Sequence, residues 1–141
     1  MSNNKQSSVE KEFVPYQEAL ALKELGFDEP CFAWYNDNGN YMLGIDEVRF
    51  DTKNTYHFNN TDSVSAPLYQ QAFRWFREKY KLKYCIIPLV CEQGYSDLYE
   101  SRIHQEKHSI SRIGSYKTYE EAELACLRKL IEIQGGNNKQ Q

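Results

Sequence analysis

The stretch SAPLYQQAFRWFREKYKL, residues 65–82, constrains the fold more than any other part of the chain. Stepped at about 100° per residue, the advance of an α-helix, it separates cleanly into two faces. Leu68, Tyr69, Ala72, Phe73, Trp75, Phe76, Tyr80 and Leu82 share one half of the circumference, and Gln70, Gln71, Arg74, Arg77, Glu78 and Lys81 share the other, with Lys79 intruding on the apolar side. A stripe of rings that wide must be covered, so a helix here demands a sheet or other helices to receive it. Ser65 reads as its N-cap and Pro67 as a residue of its first turn. The chain can meet that demand: 14 % of its 141 residues are aromatic, 11 of them Tyr, and each ring buries a large area.

Rings interleaved with cations also raise nucleic-acid binding. Single-strand platforms place rings and cations on one surface, whereas this spacing sends them to opposite faces. The rings therefore read as a packing face. Arg74, Arg77 and Lys81 read as a solvated basic stripe, and they are the residues on which a nucleic-acid alternative rests. The net charge of −3 disfavours it, because polyanion binding draws on a basic surface.

Two further helices are expected. PYQEALALKELGF, residues 15–27, opens on Pro15 and meets a stop at Gly26, with Leu20, Leu22 and Leu25 as its apolar contacts. Near the other end, TYEE places Thr118 and Glu121 three apart, a capping box. Ala122, Cys126, Leu127, Leu130, Ile131 and Ile133 follow on one face, Arg128, Lys129 and Glu132 on the other, and Gly135 and Gly136 read as the end. Between the helices lie strand segments. Residues 31–35 and 41–45 form a hairpin around Asn36, Asp37, Asn38, Gly39 and Asn40, residues that tolerate positive φ. That turn resembles a calcium loop in composition, but the rest of the ligand pattern is missing. EVRFDT and TYHF add one or two short strands, and NNTDSVS reads as a loop. KYCIIPLVC is a strand in which Pro88 requires an edge or a bulge. EQGYSD is turn-like, and residues 99–116 supply one or two more strands. PYQEALAL and PLYQQAFRW echo each other weakly, so a duplicated α-β-β unit is one possible origin of this order. The expected fold is α+β: three amphipathic helices on a mainly antiparallel sheet, in the order α-β-β-(β)-α-β-β-α. The expected organisation is a polar tail over residues 1–12, one domain over 13–134 and a second tail over 135–141.

No motif names an activity. H-x-x-x-H at His104 and His108 holds zinc on a helix, and this segment reads as strand or loop, with Gln105 where a metalloprotease has Glu. There is no G-x-S-x-G and no phosphate-binding loop. Cys91 paired with His57 or His104 would be a dyad only if folding joined them. Cys31, Cys85, Cys91 and Cys126 do not form a disulfide framework, and Cys85 and Cys91 read as buried free thiols. No metal or cofactor is called for. The start lacks the apolar core of a secretory signal, and no run approaches the roughly 20 apolar residues that span a bilayer. A cytoplasmic protein is therefore expected.

At FVPYQEALALKELGFDEPCFAWY, APLYQQAFRWFREKY and TYEEAELACLRKLIEI the chain resembles a set of uncharacterised small proteins of gut Bacteroides genomes and their phages or integrated elements. The resemblance implies a small mobile-element product in a bacterial cytoplasm, and it carries no functional residue with it. The expected function is non-enzymatic binding of a host or phage protein, with Tyr35, Tyr41 and Tyr95, near turns, as the rings best placed to anchor a partner. A pocket for a nucleotide or another small molecule between helix and sheet is a third reading.

Overall fold

The computed structural model describes residues 8–43, 59, 62–105 and 109–139. Among them are three α-helices and two three-stranded antiparallel sheets, an α+β fold. The chain divides into two compact units, Met1–Gln71 and Ala72–Gln141. No linker marks the boundary in the sequence, because it falls inside a helix.

In the first unit a short 3₁₀ turn, Glu10–Glu12, precedes α1, Tyr16–Glu24. Pro15 occupies the N-cap position, and Leu25 caps the other end. Gly26 then takes φ +92, which lets its N–H reach Lys23 O at 3.0 Å and the N–H of Phe27 reach Leu22 O at 2.9 Å. This paired closure satisfies carbonyls that a helix end otherwise leaves open, and Leu22 and Phe27 are both buried. Leu20 and Leu25 are only half-buried, and Ala19 lies in the core instead.

The hairpin forms where the sequence places it, with β1 at Ala33–Asn36 and β2 at Tyr41–Leu43. Asn36 organises the turn: its Oδ1 accepts from the backbone N–H of Asn38 (3.0 Å) and of Asn40 (2.9 Å), while Gly39 takes φ +78. The segment read as a loop differs. Ser63–Ala66 is a strand, β3, paired antiparallel with β1 so that Trp34 faces Ser65, and the sheet order is β2-β1-β3. All four residues of β3 are buried, and α1 lies against the strand. Small side chains suit a strand covered on both faces, and the serines hide its signal. Ser65 is consequently no N-cap: its N–H donates to Asn59 Oδ1 at 2.9 Å, and Pro67 precedes the helix, its carbonyl accepting from Val14 N at 2.9 Å. EVRFDT and TYHF lie outside the described residues.

The central helix, α2, runs from Tyr69 to Tyr80. Tyr69, Ala72, Phe73, Trp75 and Phe76 are buried, whereas Gln70, Arg74, Arg77, Glu78 and Lys79 are exposed. Within the second unit Phe73 stacks on Tyr84 with ring centroids 3.8 Å apart, and Trp75 meets Phe76 and Tyr80 edge-on. Lys79, the residue out of place on the wheel, sets its Nζ 5.1 Å from the Trp75 ring centroid, a cation–π contact that keeps the charge in water. Lys81 leaves the helix with φ +59, and its Nζ donates to Glu78 O at 3.0 Å.

The second sheet is a meander, β4 Lys83–Cys91, β5 Gly94–Gln105 and β6 Ser109–Tyr116, in the order β4-β5-β6. Pro88 lies on the edge strand β4 beside a register shift, so both readings of that proline hold. The turn is shorter than expected, since β5 already begins at Gly94. α3, Tyr119–Lys139, crosses the sheet. Glu121 N–H donates to Thr118 Oγ1 at 3.1 Å, and Ala122, Cys126, Leu127 and Leu130 are buried. Gly135 and Gly136 do not end α3. Neither adopts the positive φ that makes glycine a stop, and the helix passes through both. The two sheets have different middle strands, β1 and β5, so the described strands do not repeat one topology.

Candidate functional site

Alternation along β5 and β6 gives the second sheet two chemically different faces. Tyr99, Ser101 and Ile103 look toward α3: Tyr99 meets Tyr119 edge-on, Ser101 Oγ donates to Ala122 O at 2.8 Å, and Ile103 is fully buried. Glu100 and Arg102 look the other way.

On the α3 side, β6 and α3 flank a groove of about 430 Å³. Ile113, Tyr116, Leu124 and Ala125 supply its apolar lining, and Glu121, Arg128, Lys129 and Glu132 its charged rim. A bulge helps to make it. Ser101 pairs with Gly114 but Arg102 pairs with Arg112, so Ile113 is an extra residue in β6, turned to the groove with Tyr116. The Tyr116 hydroxyl lies 3.1 Å from where a Cβ on Gly114 would stand, so the ring runs back along the strand over the glycine. Lys129 Nζ holds Glu132 Oε1 at 2.8 Å, which leaves the rim of mixed sign.

On the opposite face, Arg102 and Arg112 stand directly across from each other, an arrangement that repels unless an anion intervenes. Glu100 intervenes. Its Oε1 accepts from Arg102 Nε (3.1 Å) and Arg112 Nε (2.8 Å), and its Oε2 from Arg102 Nη2 (3.2 Å). Arg112 Nη2 also donates to Ser115 Oγ at 2.9 Å. The hydrogen bond from Arg102, and then the charges of both guanidiniums, hold the Glu100 carboxyl below its ordinary value despite its desolvation. A depressed pKa means that this stabilisation is fully present above the ordinary glutamate value of 4.5 and is lost as pH falls below it. Glu100→Gln should therefore flatten the acid side of a plot of melting temperature against pH, below the ordinary glutamate value of 4.5, as the lowered pKa implies. An acid limb identical to that of the parent would contradict the pairing.

The rings expected to anchor a partner are placed differently. Tyr35 is buried at 4 % exposure and its hydroxyl donates to Val14 O at 2.7 Å, so it belongs to the core and presents no ring. Tyr41 is half-buried beside Phe13 and Tyr35, and its hydroxyl oxygen is buried with no hydrogen-bond partner among the described residues. The side chain of Tyr95 lies outside the described residues. Tyr35→Phe should cost about 0.5–1.5 kcal/mol, the usual worth of one hydrogen bond. Tyr41→Phe should be neutral or stabilising, because it removes a buried polar atom that has no partner among the described residues. Urea denaturation of both variants checks this contrast.

Arg74 and Arg77 are exposed, as the basic stripe requires, but Lys81 is hooked back onto the helix end rather than aligned with them. The cysteines also part company. Cys31 and Cys126 are buried, and burial pushes their thiols up to about 12 and about 11, away from thiolate chemistry. Cys85 is half-buried and Cys91 is exposed, against the expectation for the latter. Cys91 faces Gly94 and His104 faces Lys83, so cysteine and histidine stand at opposite ends of the sheet, roughly 30 Å apart at strand rise, and form no dyad. His57 and His108 lie outside the described residues. Among the described residues no group of three or more His, Cys, Asp and Glu is placed to hold a metal ion, and no helix is long and apolar enough to cross a membrane.

Sequence reasoning missed Glu100, Arg102, Arg112, Ile113 and Tyr116. Their signal was the alternation of ESR and SRI, which puts Glu100 with Arg102 on one face, but only the β5–β6 register brings Arg112 to them. Comparison of the chain with protein-family models, with curated proteins and with solved structures finds no match.

Proposed function

We propose that this protein is a non-enzymatic protein-binding module that takes an extended segment of its partner as an added strand on β6. The observation that carries this reading is the pairing of an outer strand with a groove. β6 has β5 on one side only in the described sheet, and a strand edge presents unpaired N–H and C=O groups that accept another chain. The groove beside it, lined by Ile113, Tyr116, Leu124 and Ala125, receives the side chains that an added strand directs toward α3. Main-chain bonds then supply affinity and the groove supplies selection, the logic of strand addition in peptide-binding domains. Following the resemblance to mobile-element proteins, the partner is sought among host or phage proteins of a bacterial cytoplasm.

The test is selection of a displayed random peptide library of roughly nine residues, long enough to span a strand of ordinary length, against the intact protein and against Ala125→Arg, which fills the groove. Enriched peptides that bind the parent and lose at least about tenfold in affinity to the variant, with its melting temperature preserved, support the reading. Absence of enrichment, or equal binding to both proteins, overturns it.

The nucleic-acid alternative retains exposed Arg74 and Arg77, but Tyr69, Phe73, Trp75 and Phe76 of α2 are buried and unavailable to stack bases, and Tyr80 is half-buried. It requires retention on DNA or RNA at about 50 mM salt, where phosphate contacts are strong.

A further inference from the structure

We infer that the segment added to β6 alternates apolar and acidic side chains, the acidic residue facing Arg112. This rests on the strand-addition reading and specifies its partner. An added strand sends successive side chains to opposite faces of the sheet. Residues paired beside Gly114 and Tyr116 point into the apolar groove. Residues paired beside Arg112 point to the other face, where the chemistry is cationic.

That face carries unspent positive charge. Two guanidiniums share the single carboxylate of Glu100, and Lys83, paired with His104, adds an ammonium on the neighbouring strand. The side chains of Arg102 and Arg112 are 40 % and 61 % exposed, while that of Glu100 is 6 % exposed. The carboxylate therefore lies beneath the two cations rather than between them and solvent. Each guanidinium has five N–H donors in a fixed fork. Arg102 uses Nε and Nη2 on Glu100, and Arg112 uses Nε on Glu100 and Nη2 on Ser115, so Nη1 of each is unspent among the described residues. Glu100 is a positioning residue: it fixes two forks in advance, which lowers the entropy lost when a carboxylate docks. Planar, bidentate recognition of a carboxylate is what arginine does best. Among the described residues this face carries no Phe, Tyr or Trp ring alternating with Glu100 and Arg102, and His104 is its one aromatic side chain; Cys85 faces Arg102 and Ile110 faces His104. An acidic protein segment therefore fits this face better than a single-stranded nucleic acid.

The experiment uses the same displayed library on the full-length protein and on Arg112→Gln and Arg112→Glu. The parent should enrich peptides of period two with Asp or Glu at alternate positions. Arg112→Gln should lose that acidic preference while keeping the apolar one, with affinity for parent-selected peptides falling about tenfold, the scale of one charge-assisted contact. Arg112→Glu should enrich Lys or Arg at the same position. If either variant fails to fold, selection on the parent at low and at about 1 M salt, where surface charge is screened, makes the same measurement: the acidic bias should fade and the apolar bias persist. Enrichment of period-two apolar peptides without an acidic bias overturns this inference and leaves strand addition standing. No enrichment at all overturns both.

Discussion

Phe76→Ala is expected to cost about 3–5 kcal/mol, the range for removing a ring from a well-packed core, as measured by urea or thermal unfolding. Phe76 is fully buried, and it touches Trp75 edge-on at 5.0 Å and Tyr80 at 6.1 Å between centroids. Truncation removes the buried ring and leaves a void that neighbouring rings, already fixed in their rotamers, fill poorly. Its sequence neighbour is the control. Arg77 is exposed on the opposite face of α2, so Arg77→Ala should change stability by less than about 0.5 kcal/mol. Near-equal effects at the two positions would contradict the orientation of the helix.

Leu127→Asp is expected to have a still larger effect and to unfold the second unit under native conditions. Leu127 is fully buried on the face of α3 that crosses the sheet. A loss of about 2–5 kcal/mol follows from deleting the leucine side chain alone. A carboxylate with no partner in that site adds a desolvation penalty of several kcal/mol, or else takes up a proton. Small domains hold only about 5–15 kcal/mol in total, so far-UV circular dichroism at neutral pH should show lost helix. The isosteric Leu127→Met, which conserves volume, should cost less than about 1.5 kcal/mol.

The helices were legible because their signals are local. The separation of rings from cations in residues 69–80, the Thr118 cap and the Gly26 stop all act within a few residues, and each has the expected geometry. Pro88 was equally readable, since a missing N–H restricts a strand whatever surrounds it. Where the outcome depended on distant neighbours, sequence reasoning failed. Ser63–Ala66 is a strand because β1 and α1 cover it, although SVSA by itself has the composition of a loop. Gly135 and Gly136 could end a helix but do not, because a glycine stops a helix only when the chain turns there. Tyr35 sits next to a turn and looked available, yet the carbonyl of Val14, twenty-one positions earlier, takes its hydroxyl into the core. The candidate site was the least legible part. It is assembled from β5, β6 and α3 by strand register and by one inserted residue, Ile113, and neither can be read from the spacing of residue types.

The central claim is that β6 is the edge on which a partner docks. Amide hydrogen exchange of the intact protein, with and without a library-selected peptide at saturating concentration, tests it most directly. Added protection is expected to concentrate on Ser109–Tyr116 and on the groove side of α3 around Leu124 and Ala125. Protection confined to the Arg74 and Arg77 face of α2, or unchanged exchange along β6 on binding, would contradict it.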